Sequence, residues 1–216
     1  MYLKIKRVFD IIMALILLII CAVPMLIVAI LIKLDDGGPV IYKQPRMGKG
    51  LKPFNIYKFR TMSSNRKEFE SLLTHDEMVT RVGKFLRATS IDELPQIINI
   101  LNGDMSFVGP RPWIIDYYEV FTEEQKHRCD VLPGLSGLAQ IKGRNGINVI
   151  KKIEYDLEYV RTASLKLDIK IFMLSIVAAL RKSNAEISEI GIKKELTELK
   201  KINKLNKERI LLKELK

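Results

Sequence analysis

The amino-acid sequence predicts a mainly helical α+β protein: an N-terminal membrane helix bent at a proline, a small β-hairpin and several amphipathic helices at an interface. Three observations carry this. From Ile11 to Ile32 there are 22 residues without a formal charge, nearly all aliphatic. Two short segments of alternating polarity, Val40–Gln44 and Phe54–Arg60, flank a glycine-containing turn. Farther on, apolar residues recur at helical spacing within polar stretches. The 216 residues suffice for one domain of ordinary size with appendages.

At about 1.5 Å per residue the apolar run makes roughly 33 Å of helix, near the thickness of a bilayer core. A purely soluble chain is thereby disfavoured. A cleaved signal peptide fits poorly, because the run is long and no small-residue cleavage site precedes a polar start. Pro24 lies mid-run, where it removes a backbone donor and clashes with the preceding turn. Lys4, Lys6 and Arg7 flank one end and Lys33 the other. Basic residues at both ends suit a helix that enters one leaflet, bends at Pro24 and returns. A kinked helix that crosses once fits equally well. Asp10 is expected at interface depth beside Lys6 or Arg7.

Asp35-Asp36-Gly37-Gly38-Pro39 is a turn signal, and the two alternating segments after it form a hairpin around Met47–Gly50. Ser63–Asp76 is polar with helical spacing, and Val82–Leu86 reads as a short helix. Ser90 is placed to cap a helix over Asp92–Leu101, with Glu93 completing a capping box and Pro95 tolerated in the first turn. Phe107–Pro112 reads as a rigid loop, Ile114–Phe121 and Glu123–Arg128 as helical, and Leu132–Gly146 as a glycine-rich loop. Ile150–Tyr159 and Leu165–Leu180 are amphipathic helical stretches. The composition then shifts: from Arg181 to Lys216 there are 11 basic and 6 acidic residues. Leu196, Leu199, Ile202 and Leu205 recur at three-residue steps, giving a basic amphipathic tail. That tail is either a solvated or oligomerising helix, so that a homodimer is compatible with it, or an attachment to anionic lipid. The division is a membrane segment at 1–34, a core at 35–184 and a tail at 185–216.

Lys plus Arg number 36 against 25 for Asp plus Glu, a formal net charge of +11. Such a balance points to nucleic acid, anionic lipid or a phosphorylated substrate. No nucleic-acid-binding motif, Walker A loop or strand-following GxGxxG is present. Cys21 and Cys129 read as two reduced thiols, and the isolated His75 and His127 argue against a histidine zinc site.

The residues that could carry chemistry cluster in a few segments. Asp92-Glu93 stands at the start of a proposed helix, where backbone N–H groups favour anions, so a carboxylate there can act as nucleophile or metal ligand. Ordinary capping is the alternative. Lys58, Arg60, Arg87, Arg111 and Arg144 lie in short, loop-rich segments. Arg111 is held between Pro110 and Pro112, and guanidinium groups match phosphate oxygens in bidentate fashion. Taken singly, each cation is a solvated surface charge. Gly134, Gly137, Gly143 and Gly146 would let backbone approach a ligand closely. Carboxylates, cations and glycine loops beside a membrane segment suggest phosphoryl chemistry on a lipid.

These residues resemble the bacterial sugar transferase family, the monotopic phosphoglycosyl transferases. The resemblance runs through Lys6–Asp10, Pro39–Gln44, Tyr57–Met62, Ser90–Gln96, Asn102–Pro112, Pro133–Gln140, Gly143–Asn145, Tyr155-Asp156 and Asp168, over roughly residues 1–180. It implies an enzyme on the cytoplasmic face of the bacterial inner membrane, with a re-entrant helix bent at Pro24. The implied reaction transfers a sugar 1-phosphate from a nucleotide diphosphate sugar to polyprenol phosphate, releasing a nucleoside monophosphate and starting glycan assembly. By the same resemblance Asp92 attacks the sugar-linked phosphorus, Asp92 and Glu93 hold Mg²⁺, and Lys58, Arg87 and Arg111 hold phosphate. Arg60, Pro110, Arg144 and Asp168 complete the expected substrate site. The leaning is toward UDP-linked N-acetylated amino or deoxyamino sugars. A minimal catalytic core is implied, without the spanning helices and extra domain of larger members, and the tail has no usable match. Nucleic acid is not expected as a partner. The competing reading is a non-catalytic membrane scaffold, which leaves Asp92, Glu93 and Arg111 without a task.

Overall fold

The computed structural model describes residues 2–63, 78–143, 147–180, 195–205 and 207. The polar helix expected over Ser63–Asp76 lies almost wholly outside these residues, as do Arg144, Gly146 and His75. Helix α1, Tyr2–Asp36, runs continuously through Pro24. Asp10, Ala14, Val28 and Ile32 are buried along one stripe, whereas Ile19, Ile20, Val23 and Leu26 are among its most exposed residues. The helix therefore lies along the core and leaves an apolar face outward. Such burial at helical spacing is what fixes a helix position. Asp10 is buried within the protein, near the Lys6 and Arg7 charges, and accepts a hydrogen bond from the Phe107 N–H.

Strands β1 (Ile41–Met47) and β2 (Pro53–Phe59) form the expected antiparallel hairpin, with Tyr42 opposite Lys58 and Arg46 opposite Phe54. Helix α2 (Arg81–Thr89) begins with Thr80 accepting from the Gly83 N–H. Gly83 is required rather than tolerated: a Cβ there would stand 2.1 Å from the Thr61 carbonyl oxygen.

The helix expected from Asp92 is divided. Ser90 adopts a left-handed conformation, φ 57°, as the C-cap of α2, and its side chain makes no cap hydrogen bond. Ile91–Glu93 is a single 3₁₀ turn, and helix α3 (Gln96–Asn102) starts after Pro95. The capping box is thus absent: with Ser90 spent on ending one helix, it cannot start the next. Helix α3 is bound to β2 through Asn99, which accepts from the Tyr57 N–H at 3.0 Å and donates to the Asn55 carbonyl at 2.8 Å.

Two segments expected as loops are ordered. Strand β3 (Ser106–Val108) pairs in parallel with β4 (Gly134–Ser136), and helix α4 (Leu138–Gly143) follows. Gly109, Gly134 and Gly137 serve this pairing. A Cβ at Gly134 would meet the Gly109 nitrogen at 2.1 Å, and one at Gly137 would meet the Gly109 carbonyl oxygen at 2.5 Å. The glycines expected to admit a ligand instead admit neighbouring backbone, and Gly143 gives way to the Ile147 side chain. The region Ile115–Cys129 is a run of short 3₁₀ and α turns. Helices α5 (Val149–Thr162) and α6 (Leu165–Leu180) match expectation closely. Residues 195–205 are helical and dock on the core, with Leu199 fully buried against the cluster of Tyr117, Val149 and Ile153. Leu196 packs there too, so this part of the leucine stripe is used within the chain. Cys21 and Cys129 form no disulfide.

Candidate active site

Asp92 and Glu93 sit on the 3₁₀ turn between α2 and α3, and Asp92 is only 4% exposed. The cation facing them comes from β2. Lys58 Nζ donates to Glu93 Oε1 at 2.8 Å and stands 3.7 Å from Asp92 Oδ2. Arg111 Nη2 donates to the same Glu93 oxygen at 2.5 Å. Burial works to raise the Glu93 carboxyl, but Arg111 and Lys58 outweigh it and hold it well below the usual carboxylate range. The environment that keeps this acid ionised is therefore these two cations, not the helix N-terminus that the sequence suggested.

The Arg111 loop is fixed from beneath. Its carbonyl accepts from Arg128 Nη2 at 2.6 Å, and the Pro110 carbonyl accepts from the Gly134 N–H at 2.9 Å. Pro110 is buried and acts on the site by holding this loop. The Arg111 side chain remains 42% exposed and can meet a ligand.

Arg46 was missed in the sequence. On β1 it shares a face with Tyr42, and Tyr42 pairs with Lys58. Extending the alternation two residues beyond Gln44 would have found it. Burial, and then the neighbouring Arg111 charge, lower its guanidinium to about 10. Gln44 Oε1 accepts from Arg46 Nη2 at 2.5 Å. Two arginines brought together beside a carboxylate make an anion-binding geometry.

Other expected site residues are held elsewhere. Arg60 is bound by both Asp36 oxygens, one at 2.7 Å, and donates to the Pro39 carbonyl at 2.6 Å. Asp168 accepts from Tyr2 at 2.5 Å, Lys6 at 2.7 Å and Tyr159 at 2.7 Å. Both are ties between α1 and the core. Arg87 donates from Nε to Thr61 Oγ1 at 2.9 Å, at the end of β2. A further tie joins α1 to α3: Arg7 donates to the Ile100 and Leu101 carbonyls, at 2.5 and 2.8 Å, and so caps the C-terminal end of α3.

A carboxylate pair faced by two cations, in a chain whose N-terminal helix is long and apolar enough to cross a membrane, suits an enzyme that handles anions. The bacterial sugar transferase family model matches residues 1–182, and the chain belongs to that family of transferases. It is 46% identical over 171 residues to the sugar transferase EpsL of Bacillus subtilis, covering 79% of this chain and 85% of that one. It is 42% identical over 190 residues to a UDP-glucose:undecaprenyl-phosphate glucose-1-phosphate transferase of Caulobacter vibrioides, covering 83% of this chain and 71% of that one. A protein of the same name from Escherichia coli is 41% identical over 181 residues, but only 39% of its length is covered.

Proposed function

We propose that this protein transfers a sugar 1-phosphate from a UDP-linked sugar to undecaprenyl phosphate through a covalent intermediate on Asp92. The observation that carries the proposal is the shared grip of Lys58 and Arg111 on Glu93 Oε1, beside a nearly buried Asp92. In the first half-reaction an Asp92 oxygen forms a bond to the sugar-linked phosphorus, and the bond to the leaving UMP breaks. In the second, an oxygen of the lipid phosphate attacks that phosphorus, and the Asp92–phosphorus bond breaks to regenerate the carboxylate. Arg111 and Arg46 offset the charge of the diphosphate, without which one anion would repel another. Lys58 holds Glu93 and faces Asp92, so it sets the direction of attack.

Two adjacent carboxylates fit Mg²⁺, which keeps several waters and takes substrate phosphates as further ligands. Among the described residues no third His, Cys, Asp or Glu joins them. When bound by Asp92 and Glu93, the ion would supply charge neutralisation at the diphosphate. The sugar is glucose in the names of several relatives, whereas the motif resemblance leans to amino sugars. A panel of UDP-sugars with undecaprenyl phosphate and Mg²⁺, assayed for UMP release, tests the reading. Release with one or two donors is expected; no release with any donor would favour the scaffold.

The anchor helix is proposed to stay within one leaflet, with both ends on the cytoplasmic side. The support is that its two ends are tied to the same body, Arg7 to α3 and Asp36 to Arg60. A cysteine placed at Lys4 should resist impermeant maleimide applied to intact cells; strong labelling would indicate a crossing helix.

A further inference from the structure

The helix over 195–205 lies beyond the 182 residues that the family model matches, yet it touches the site's supports. Glu195 accepts from Tyr117 at 3.0 Å through Oε2 and from Lys152 at 2.5 Å through Oε1. The Tyr117 ring packs edge-on against Trp113 at 4.7 Å. Trp113 is two residues past Arg111. The Arg128 guanidinium, which holds the Arg111 carbonyl, lies 4.6 Å from the Trp113 ring. The Trp113 carbonyl also accepts from the Met47 N–H at 3.2 Å, next to Arg46. Lower on the helix, Asn203 donates to the Val120 carbonyl at 2.8 Å and exchanges hydrogen bonds with Gln125.

We propose that this C-terminal helix is a positioning brace: through Glu195, Leu199 and Asn203 it clamps the Trp113–Phe121 segment and so sets where Arg111 and Arg46 stand relative to the donor diphosphate. The inference rests on the reading of those arginines as diphosphate-binding. Three independent attachments lead from one short helix to one segment, and that segment contacts the supports of both arginines. A tail that merely avoided solvent needs Leu199 alone. A partly buried acceptor joined to both a lysine and a tyrosine specifies orientation as well as contact. Misplacement by a fraction of an ångström at charged groups is enough to alter binding.

Trp113 is the single tryptophan of the chain and reports on the brace directly. The full-length protein in detergent is titrated with UDP, and Trp113 emission is followed in wild type, Leu199→Asp, Arg111→Ala and the double variant. Leu199→Asp is expected to shift the unliganded emission and to weaken UDP by about tenfold. In the Arg111→Ala background the penalty should shrink, because one of the two groups it positions is gone. Equal UDP affinity in Leu199→Asp and wild type, or a penalty that persists undiminished without Arg111, overturns the brace. If Arg111→Ala itself binds UDP like wild type, the diphosphate-binding reading falls, and the brace with it. Should Leu199→Asp fail to fold, Glu195→Gln and Asn203→Ala enter the same cycle. Each is expected to give a smaller loss that also shrinks without Arg111, and a loss undiminished in that background overturns the proposal.

Discussion

Arg128–Asp156 and Glu93 with its cations are both ion-pair regions, and they are built oppositely. Arg128 and Asp156 are each 2% exposed in their side chains and joined by two hydrogen bonds, at 2.6 and 3.1 Å. The remaining Arg128 donors go to Tyr118 and the Arg111 carbonyl. That pair is closed: it has no room for a ligand and serves to fix a loop. At Glu93 one carboxylate oxygen takes two cations, one of them 42% exposed, and Arg46 stands close enough to Arg111 to feel its charge. That region is open and concentrates positive charge. The same contrast sorts the expected site residues, because Arg60 and Asp168 belong to closed ties while Lys58 and Arg111 belong to the open cluster.

If the contrast is right, breaking the closed pair should cost stability and breaking the open cluster should cost turnover. The largest effect on activity is expected from Arg111→Ala, about 10²–10³-fold in kcat/KM by analogy with removal of a transition-state charge partner. Its thermal midpoint should stay within a few degrees. The largest effect on stability is expected from Arg128→Met, about 3–5 kcal/mol, because Asp156 is left buried without its partner. Denaturant unfolding measures it, and a loss below about 1 kcal/mol would show that Asp156 is not held by this pair.

Arg46→Met is expected to raise stability by about 1 kcal/mol while weakening donor binding, since it removes a charge that burial, and then the neighbouring Arg111, disfavour. The folded guanidinium is lowered to about 10, below its unfolded value. The destabilisation is therefore complete below that pH and fades only above it. The gain should be equal at pH 6 and pH 8. A further effect on stability, below that of Arg128→Met, concerns Glu93, whose folded carboxyl is depressed. Its contribution is present above the unfolded carboxylate range and is lost as pH falls through the folded value. Glu93→Gln should thus cost about 1–2 kcal/mol near neutrality, with the gap closing in strong acid.

The parts of this account legible in the sequence are those set by local pattern. The apolar run, the hairpin and helices α5 and α6 each follow from periodicity within one segment. Asp92, Glu93, Lys58 and Arg111, which the structure brings together, stand out by residue type, proline restraint and motif. What escaped depends on contacts across the chain. Ser90 reads as a helix start because a serine with a glutamate three residues later fits a capping box, yet Thr89 and Ser90 end the preceding helix. Arg60 reads as a phosphate ligand because nothing local reveals that Asp36 takes it. Gly109 and Gly134, 25 positions apart, come into backbone contact only when β3 pairs with β4. Leu199 reads as a dimer stripe because its partners, Tyr117 and Val149, lie far away in sequence.

The central claim is that the open cluster presents Asp92 as the nucleophile. Intact-protein mass spectrometry of the purified enzyme, incubated with its UDP-sugar and Mg²⁺ but no lipid acceptor, tests it most directly. The account predicts a mass increase equal to one phosphosugar on the wild type, discharged when undecaprenyl phosphate is added, and none on Asp92→Asn. Labelling of Asp92→Asn to the wild-type level would contradict it.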